Sequence, residues 1–98
     1  MSHYDQLAEI TRSPVVLVNR AVAISFADGP AVAIPLLREL ADDPRLRDSH
    51  VVPVALAELH ERAGDRDAAR ALFRTALSLV STDPERHHLE RRLAQLDA

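Results

Sequence analysis

The chain has no cysteine, no lysine and no tryptophan, and only two glycines and three aromatic residues. Without cysteine there is no disulfide framework and no thiolate for catalysis or metal binding. That absence is compatible with a reducing cytoplasm, which is the expected location. With glycine confined to Gly29 and Gly64, and no apolar–polar alternation along the chain, a β-sheet protein is excluded and an all-α fold expected. No run approaches the ~20 apolar residues that a membrane span requires. The first residues lack a basic stretch followed by an apolar one, so no secretory leader is expected. Twelve arginines face fifteen acids, for a net charge of −3. The cationic excess on which broad nucleic-acid binding leans is therefore missing.

What the chain does have is aliphatic bulk: 47% of its 98 residues are hydrophobic. This is one domain's length with ample core material. The core is expected to be built from Ala, Leu and Val, with Tyr4, Phe26 and Phe73 as its aromatic members. The most apolar stretch is 14–27, in which eleven of fourteen residues are apolar and only Asn19, Arg20 and Ser25 are polar. A helix apolar nearly all round is buried by its neighbours, so this one is expected to be the central helix. Ser13 can cap its start with Pro14 at the first helical position, and Gly29 can end it.

Six helices are predicted, over 2–11, 14–27, 30–41, 50–63, 66–80 and 84–96, in a single domain covering 1–98. Tyr4, Leu7 and Ala8 share a face of the first. Pro35 should bend the start of the third, and Asp42-Asp43-Pro44 ends it. Gly64 closes the fourth, and Asp65 can cap the fifth. The fifth has the clearest period, with Ala69, Leu72, Phe73, Ala76, Leu77 and Val80 at i, i+3, i+4, i+7 spacing. The sixth has only a narrow seam of Leu89, Leu93 and Leu96.

The helices pair. Gly29 and Gly64 join two hairpins 35 residues apart, and each pair ends in Asp-Pro, at Asp43-Pro44 and Asp83-Pro84. Helix–turn–helix units with a period near 34 residues are tetratricopeptide-like. The second unit carries the pattern, with small residues at Ala57, Ala69 and Ala76 for close contact and Phe73 filling the space between. About three units are needed to cover such faces. The first and sixth helices are expected to supply the missing cover, the sixth as a polar-faced cap.

Ser13-Pro14-Val15-Val16, Asn19-Arg20-Ala21-Val22-Ala23 and Asp28-Gly29-Pro30 together resemble the C-terminal extension of one group of bacterial extracytoplasmic-function sigma factors. The resemblance continues through Tyr4-Asp5, Asp43-Pro44-Arg45-Leu46, His50, the 57–64 and 66–76 runs, and Leu89-Glu90-Arg91-Arg92-Leu93. It spans essentially the whole chain. It implies an accessory domain that tunes transcription initiation through contacts with sigma domains or RNA polymerase. The promoter-reading domains of that family are not in this chain. A standalone peptide-binding adaptor and a homodimerisation module are the alternatives.

Three sets of residues are candidates for partner binding, each with a plainer reading. In tetratricopeptide-like pairs the first helix lines the concave face, which puts Val54, Glu58, Glu61 and Arg62 there. The alternative is a solvated face with a Glu58–Arg62 i,i+4 pair worth ~0.3 kcal/mol. Asn19 and Arg20 form a docking spot or, preferably, a structural pair: Asn19 bonding backbone, Arg20 meeting Asp5, Glu9 or Asp28. Arg66, Arg70 and Arg74 lie four apart and form a stripe for an acidic partner or, preferably, a solvated face relieved by Asp67, Glu85 or Glu90.

No catalytic, cofactor or metal site is expected. HExxH, paired thiols and glycine-rich phosphate loops are absent. His60 stands where the repeat prefers bulk and reads as a packing residue. His87 and His88 are neighbours ~100° apart on a helix and cannot chelate one ion together. Ser25 and Ser81 lack an evident His/Asp arrangement, so an enzyme is not expected. Zinc should accordingly leave the melting temperature unchanged. A zinc-induced rise, reversed by chelator, would show that His50, His60, His87 or His88 come together in space.

Overall fold

The computed structural model describes residues 14–97, and these form five helices: α1 (Pro14–Asp28), α2 (Pro30–Ala41), α3 (Val51–Arg62), α4 (Arg66–Leu79) and α5 (Asp83–Asp97). The fold is all-α, built of antiparallel pairs α1/α2 and α3/α4 with α5 laid against α4. The helix expected over 2–11, its residues Tyr4, Leu7 and Ala8, and the Ser13 cap lie outside the described residues. The other boundaries fall within one residue of expectation.

Local chemistry sets those boundaries. Gly29 takes φ 97° and ψ 158°, a region open essentially to glycine alone, and its N–H closes the last turn of α1 on the Ser25 carbonyl at 2.9 Å. Pro30 then starts α2, which runs on through the exposed Pro35. Gly64, at φ 91°, ends α3 in a Schellman turn. Its N–H meets the Glu61 carbonyl at 3.1 Å, and the Asp65 N–H meets the His60 carbonyl at 2.8 Å. Asp65 caps α4 by accepting from the Ala68 N–H at 3.1 Å. Thr82 caps the start of α5, its hydroxyl accepting from the Glu85 N–H at 3.4 Å and donating to the Glu85 carboxylate at 2.7 Å.

The connection between α2 and α3 is folded on itself. Asp43 accepts from the Arg45 backbone N–H at 2.9 Å and from its guanidinium at 2.7 Å. Those bonds favour the carboxylate and hold the Asp43 pKa at about 2, below the usual range. Leu46 anchors the connection in the core.

Two cores meet at α3. The first joins Val18 and Ala21 of α1, Ala33 and Leu37 of α2, and Val52, Ala55, Leu56 and Leu59 of α3. The second joins Ala57 of α3 to Ala69, Phe73 and Ala76 of α4, Val80 after it, and Leu89 and Leu96 of α5. Leu72 packs against both. Two expectations are corrected here. Among the described residues the central helix is α3, not α1: Val15 and Val16 of α1 are exposed. Phe26 is not a core aromatic but 74% exposed. An all-apolar run has no periodicity to say which face turns inward, and among the described side chains of α1 only Val18, Ala21 and Ser25 are buried.

Phe73 and Ala76 are fully buried on adjacent turns of α4. Ala76→Leu should therefore overpack the second core and lower stability by about 1–3 kcal/mol in urea denaturation. An unchanged midpoint would remove Ala76 from the helix contact.

Candidate functional site

A groove of about 480 Å³ opens between α1, α3 and α5, lined by Val22 and Phe26 of α1, Ala55, Glu58, Leu59, Glu61 and Arg62 of α3, and Arg92 of α5. Its position follows from helix order. The first helix of each pair lines this side, and α5 continues the row. Its floor is aliphatic and its rim is charged, two acids against two arginines.

Two arginines brace that rim. The Arg62 guanidinium donates to the Ser25 hydroxyl at 2.8 Å and to the Ser25 carbonyl at 3.2 Å, and its centre lies 4.4 Å from the Phe26 ring centroid. Ser25 is 1% exposed, and its hydroxyl in turn donates to the Val22 carbonyl. The fork thus ties α3 to α1 and props Phe26 at the groove edge, a cation–π contact worth about 0.5–1 kcal/mol in solvent. On the other side Arg92 bonds Glu61, donates to Gln95 at 3.0 Å, and sits 5.3 Å over the buried Phe73 ring. Arg62 and Glu58 have no ion-pair partner among the described residues, so one charge of each sign faces the groove unmatched.

Of the four residues expected on this face, Glu58, Glu61 and Arg62 line the groove. Val54 does not: it is half-buried and packs against the second core. The proposed Glu58–Arg62 pair is not formed, because Arg62 turns to Ser25 instead. Phe26, Ser25 and Arg92 complete the site and were not among the expected residues. The signal for Ser25 was its being a lone small hydroxyl in an aliphatic helix, but its partner lies 37 residues away.

The other candidates fall elsewhere. Asn19 and Arg20 are exposed on α1. Of the acids expected to pair with Arg20, Asp28 does not meet it. Asp5 and Glu9 lie outside the described residues. The arginine stripe of α4 is not simply a solvated face. Arg66 donates to the Leu96 carbonyl at 2.7 Å. Arg70 pairs with Asp67, lies 3.8 Å from Asp97, and reaches the Leu96 carbonyl at 3.4 Å. Together they cap the C-terminal end of α5, whose last carbonyls have no helical partners. Arg74 is exposed. Of the proposed relieving acids only Asp67 serves. Glu85 instead meets His50 Nε2 at 2.8 Å. His60 is largely packed, its side chain 12% exposed and 3.9 Å from Asp65. Among the described residues no three histidines or acids gather around a common point, and no helix is long and apolar enough to cross a membrane.

Arg62→Ala removes both bonds to Ser25 and should cost about 1.5 kcal/mol, the low end for a hydrogen bond to a charged group because the guanidinium is itself solvated. Arg62→Lys should recover only part, since an ammonium cannot span hydroxyl and carbonyl as a planar fork does. Thermal denaturation of both variants checks this. A lysine variant as stable as the parent would assign the effect to charge alone.

No family model and no solved structure matches the chain. Among curated proteins it is similar to an uncharacterized protein of Rhizobium meliloti (strain 1021), 30% identical over 95 residues, which cover 97% of this chain and 22% of that relative. The chain therefore spans about a fifth of the length of the curated relative it matches.

Proposed function

We propose that this chain is a non-catalytic protein-interaction domain, built of tetratricopeptide-like pairs, that receives its partner in the groove between α1, α3 and α5. The observation that carries the reading is the state of that groove. An aliphatic floor lies open, Phe26 stands 74% exposed at its edge, and Arg62 and Glu58 present unmatched charges of opposite sign. Exposed aromatics beside apolar floors and polar rims are the anatomy of protein interfaces. The fitting partner is an amphipathic helix or extended segment with an apolar anchor and flanking charges of both signs.

The partner class is proposed from the sequence resemblance: sigma domains or RNA polymerase, with the domain acting as the regulatory C-terminal extension of an extracytoplasmic-function sigma factor in the bacterial cytoplasm. The similarity to a fifth of a much longer protein fits a domain appended to a larger chain.

Phe26→Ala combined with Glu58→Arg alters exposed side chains and gives up the cation–π contact to Arg62, so the fold should persist with a melting temperature lower by about 2–8 °C. Calorimetry against the promoter-reading domains of an extracytoplasmic-function sigma factor from the same organism should show affinity falling at least ten-fold, about 1.4 kcal/mol. Unchanged affinity would move the interface off the groove. Absence of binding by the parent chain, with a concentration-dependent mass in sedimentation, would replace this reading with homodimerisation.

A further inference from the structure

A second groove, of about 360 Å³, runs between α1 and α2, on residues that take no part in the function proposed above. Leu17, Arg20 and Ile24 line it from α1, and Leu36, Glu39 and Leu40 from α2. Leu36 is exposed, and so is Val32 one turn before it. Arg20 and Glu39 are both exposed, and neither is in an ion pair among the described residues. The two walls match level by level. α1 and α2 are antiparallel and joined at Gly29 alone, so residues equally far from Gly29 stand level across the groove. Arg20 and Glu39 are nine and ten residues from it, Leu17 and Leu40 twelve and eleven, and Ile24 and Leu36 five and seven. At about 1.5 Å of rise per residue, each pair is level to within about 3 Å. Both walls thus read aliphatic, charged, aliphatic, with the sign of the charge reversed between them.

We propose that this groove receives the same groove of a second copy of the chain, about a two-fold axis that runs along it. The reversal of charge between two level walls argues for this occupant. Such an axis, lying between the copies, sets the α1 wall of each over the α2 wall of the other and leaves every residue at its own level. Leu17 of one copy then meets Leu40 of the other, Ile24 meets Leu36, and Arg20 meets Glu39. Each contact occurs twice, as an isologous interface requires. An axis turned across the groove at the level of the charges would instead oppose Arg20 to Arg20 and Glu39 to Glu39, which like-charge repulsion disfavours. The face is self-complementary in the first orientation and not in the second. The aliphatic residues on either side of the charges are what the contact takes out of water.

Sedimentation equilibrium of the whole chain reads this directly. The parent should pass from monomer to dimer mass as its concentration rises. Arg20→Glu and Glu39→Arg each set like charges against one another and should weaken the dimer about ten-fold or more. Both positions are exposed, so circular dichroism of each variant should match the parent. An equimolar mixture of the two variants puts glutamates on one copy opposite arginines on the other, and should recover the parent's dimer. Arg20→Glu combined with Glu39→Arg in one chain should do the same. A parent of monomer mass up to about 1 mM would overturn the proposal and leave the groove to another occupant. Single variants that dimerise like the parent would place the interface on a different face. Folded variants whose mixture stays monomeric would remove the pairing of Arg20 with Glu39, and the two-fold axis with it.

Discussion

Helix α3 is the wall that two cores share, and the rest of the molecule follows from that constraint. Val52, Ala55, Leu56 and Leu59 turn toward α1 and α2, while Ala57 turns toward α4. A helix consumed on two faces has one strip left for its polar residues. That strip is Glu58, Glu61 and Arg62, and it falls between α1 and α5. The charged rim of the groove is thus what remains once packing has used the other faces. Alanine makes the double use possible. Ala33, Ala57, Ala69 and Ala76 are all fully buried, and small side chains let backbones approach closely enough for α3 to touch neighbours on both sides.

Where helices begin and end was legible because capping is local. Pro30, Gly29, Gly64 and Asp65 each act within four residues of themselves, so reading them requires no tertiary knowledge. The α4 stripe was legible because its period is local: Ala69, Phe73 and Ala76 recur at i, i+4, i+7, and all three are buried. Legibility failed where the pattern was saturated. In α1 nearly every residue is apolar, so nothing marks Val18 and Ala21 as inside and Phe26 as outside. It failed again where a partner is distant in sequence. Arg62 lines the groove, but i,i+4 logic paired it with Glu58. The Ser25 oxygens, 37 residues away, offered a bidentate fit that an exposed carboxylate on the same helix did not.

The exclusive use of arginine also has structural content. Arg62 bridges α3 to α1, Arg66 and Arg70 bridge α4 to the last turn of α5, and Arg92 bridges α5 to α3. Three of these four bond backbone carbonyls, and all lie between helices. A guanidinium reaches two acceptors at once in a plane and stacks on rings, as Arg62 does on Phe26 and Arg92 on Phe73. Exposed lysines in the same places would offer point charges to solvent, worth little. The arginines therefore act as cross-helix ties in a core otherwise held by small aliphatic side chains.

The two grooves differ in how their charges are committed, and that difference separates their roles. Around the groove of α1, α3 and α5, the braces are internal: Ser25 holds Arg62, Glu61 holds Arg92, and both guanidinium groups lie over rings. Its shape is fixed before anything binds, so an incoming segment meets a preorganised surface and spends little free energy ordering it. The groove between α1 and α2 has no such braces among the described residues. Arg20 and Glu39 extend into solvent, and aliphatic side chains lie between them. A face of that kind gains its order from whatever covers it.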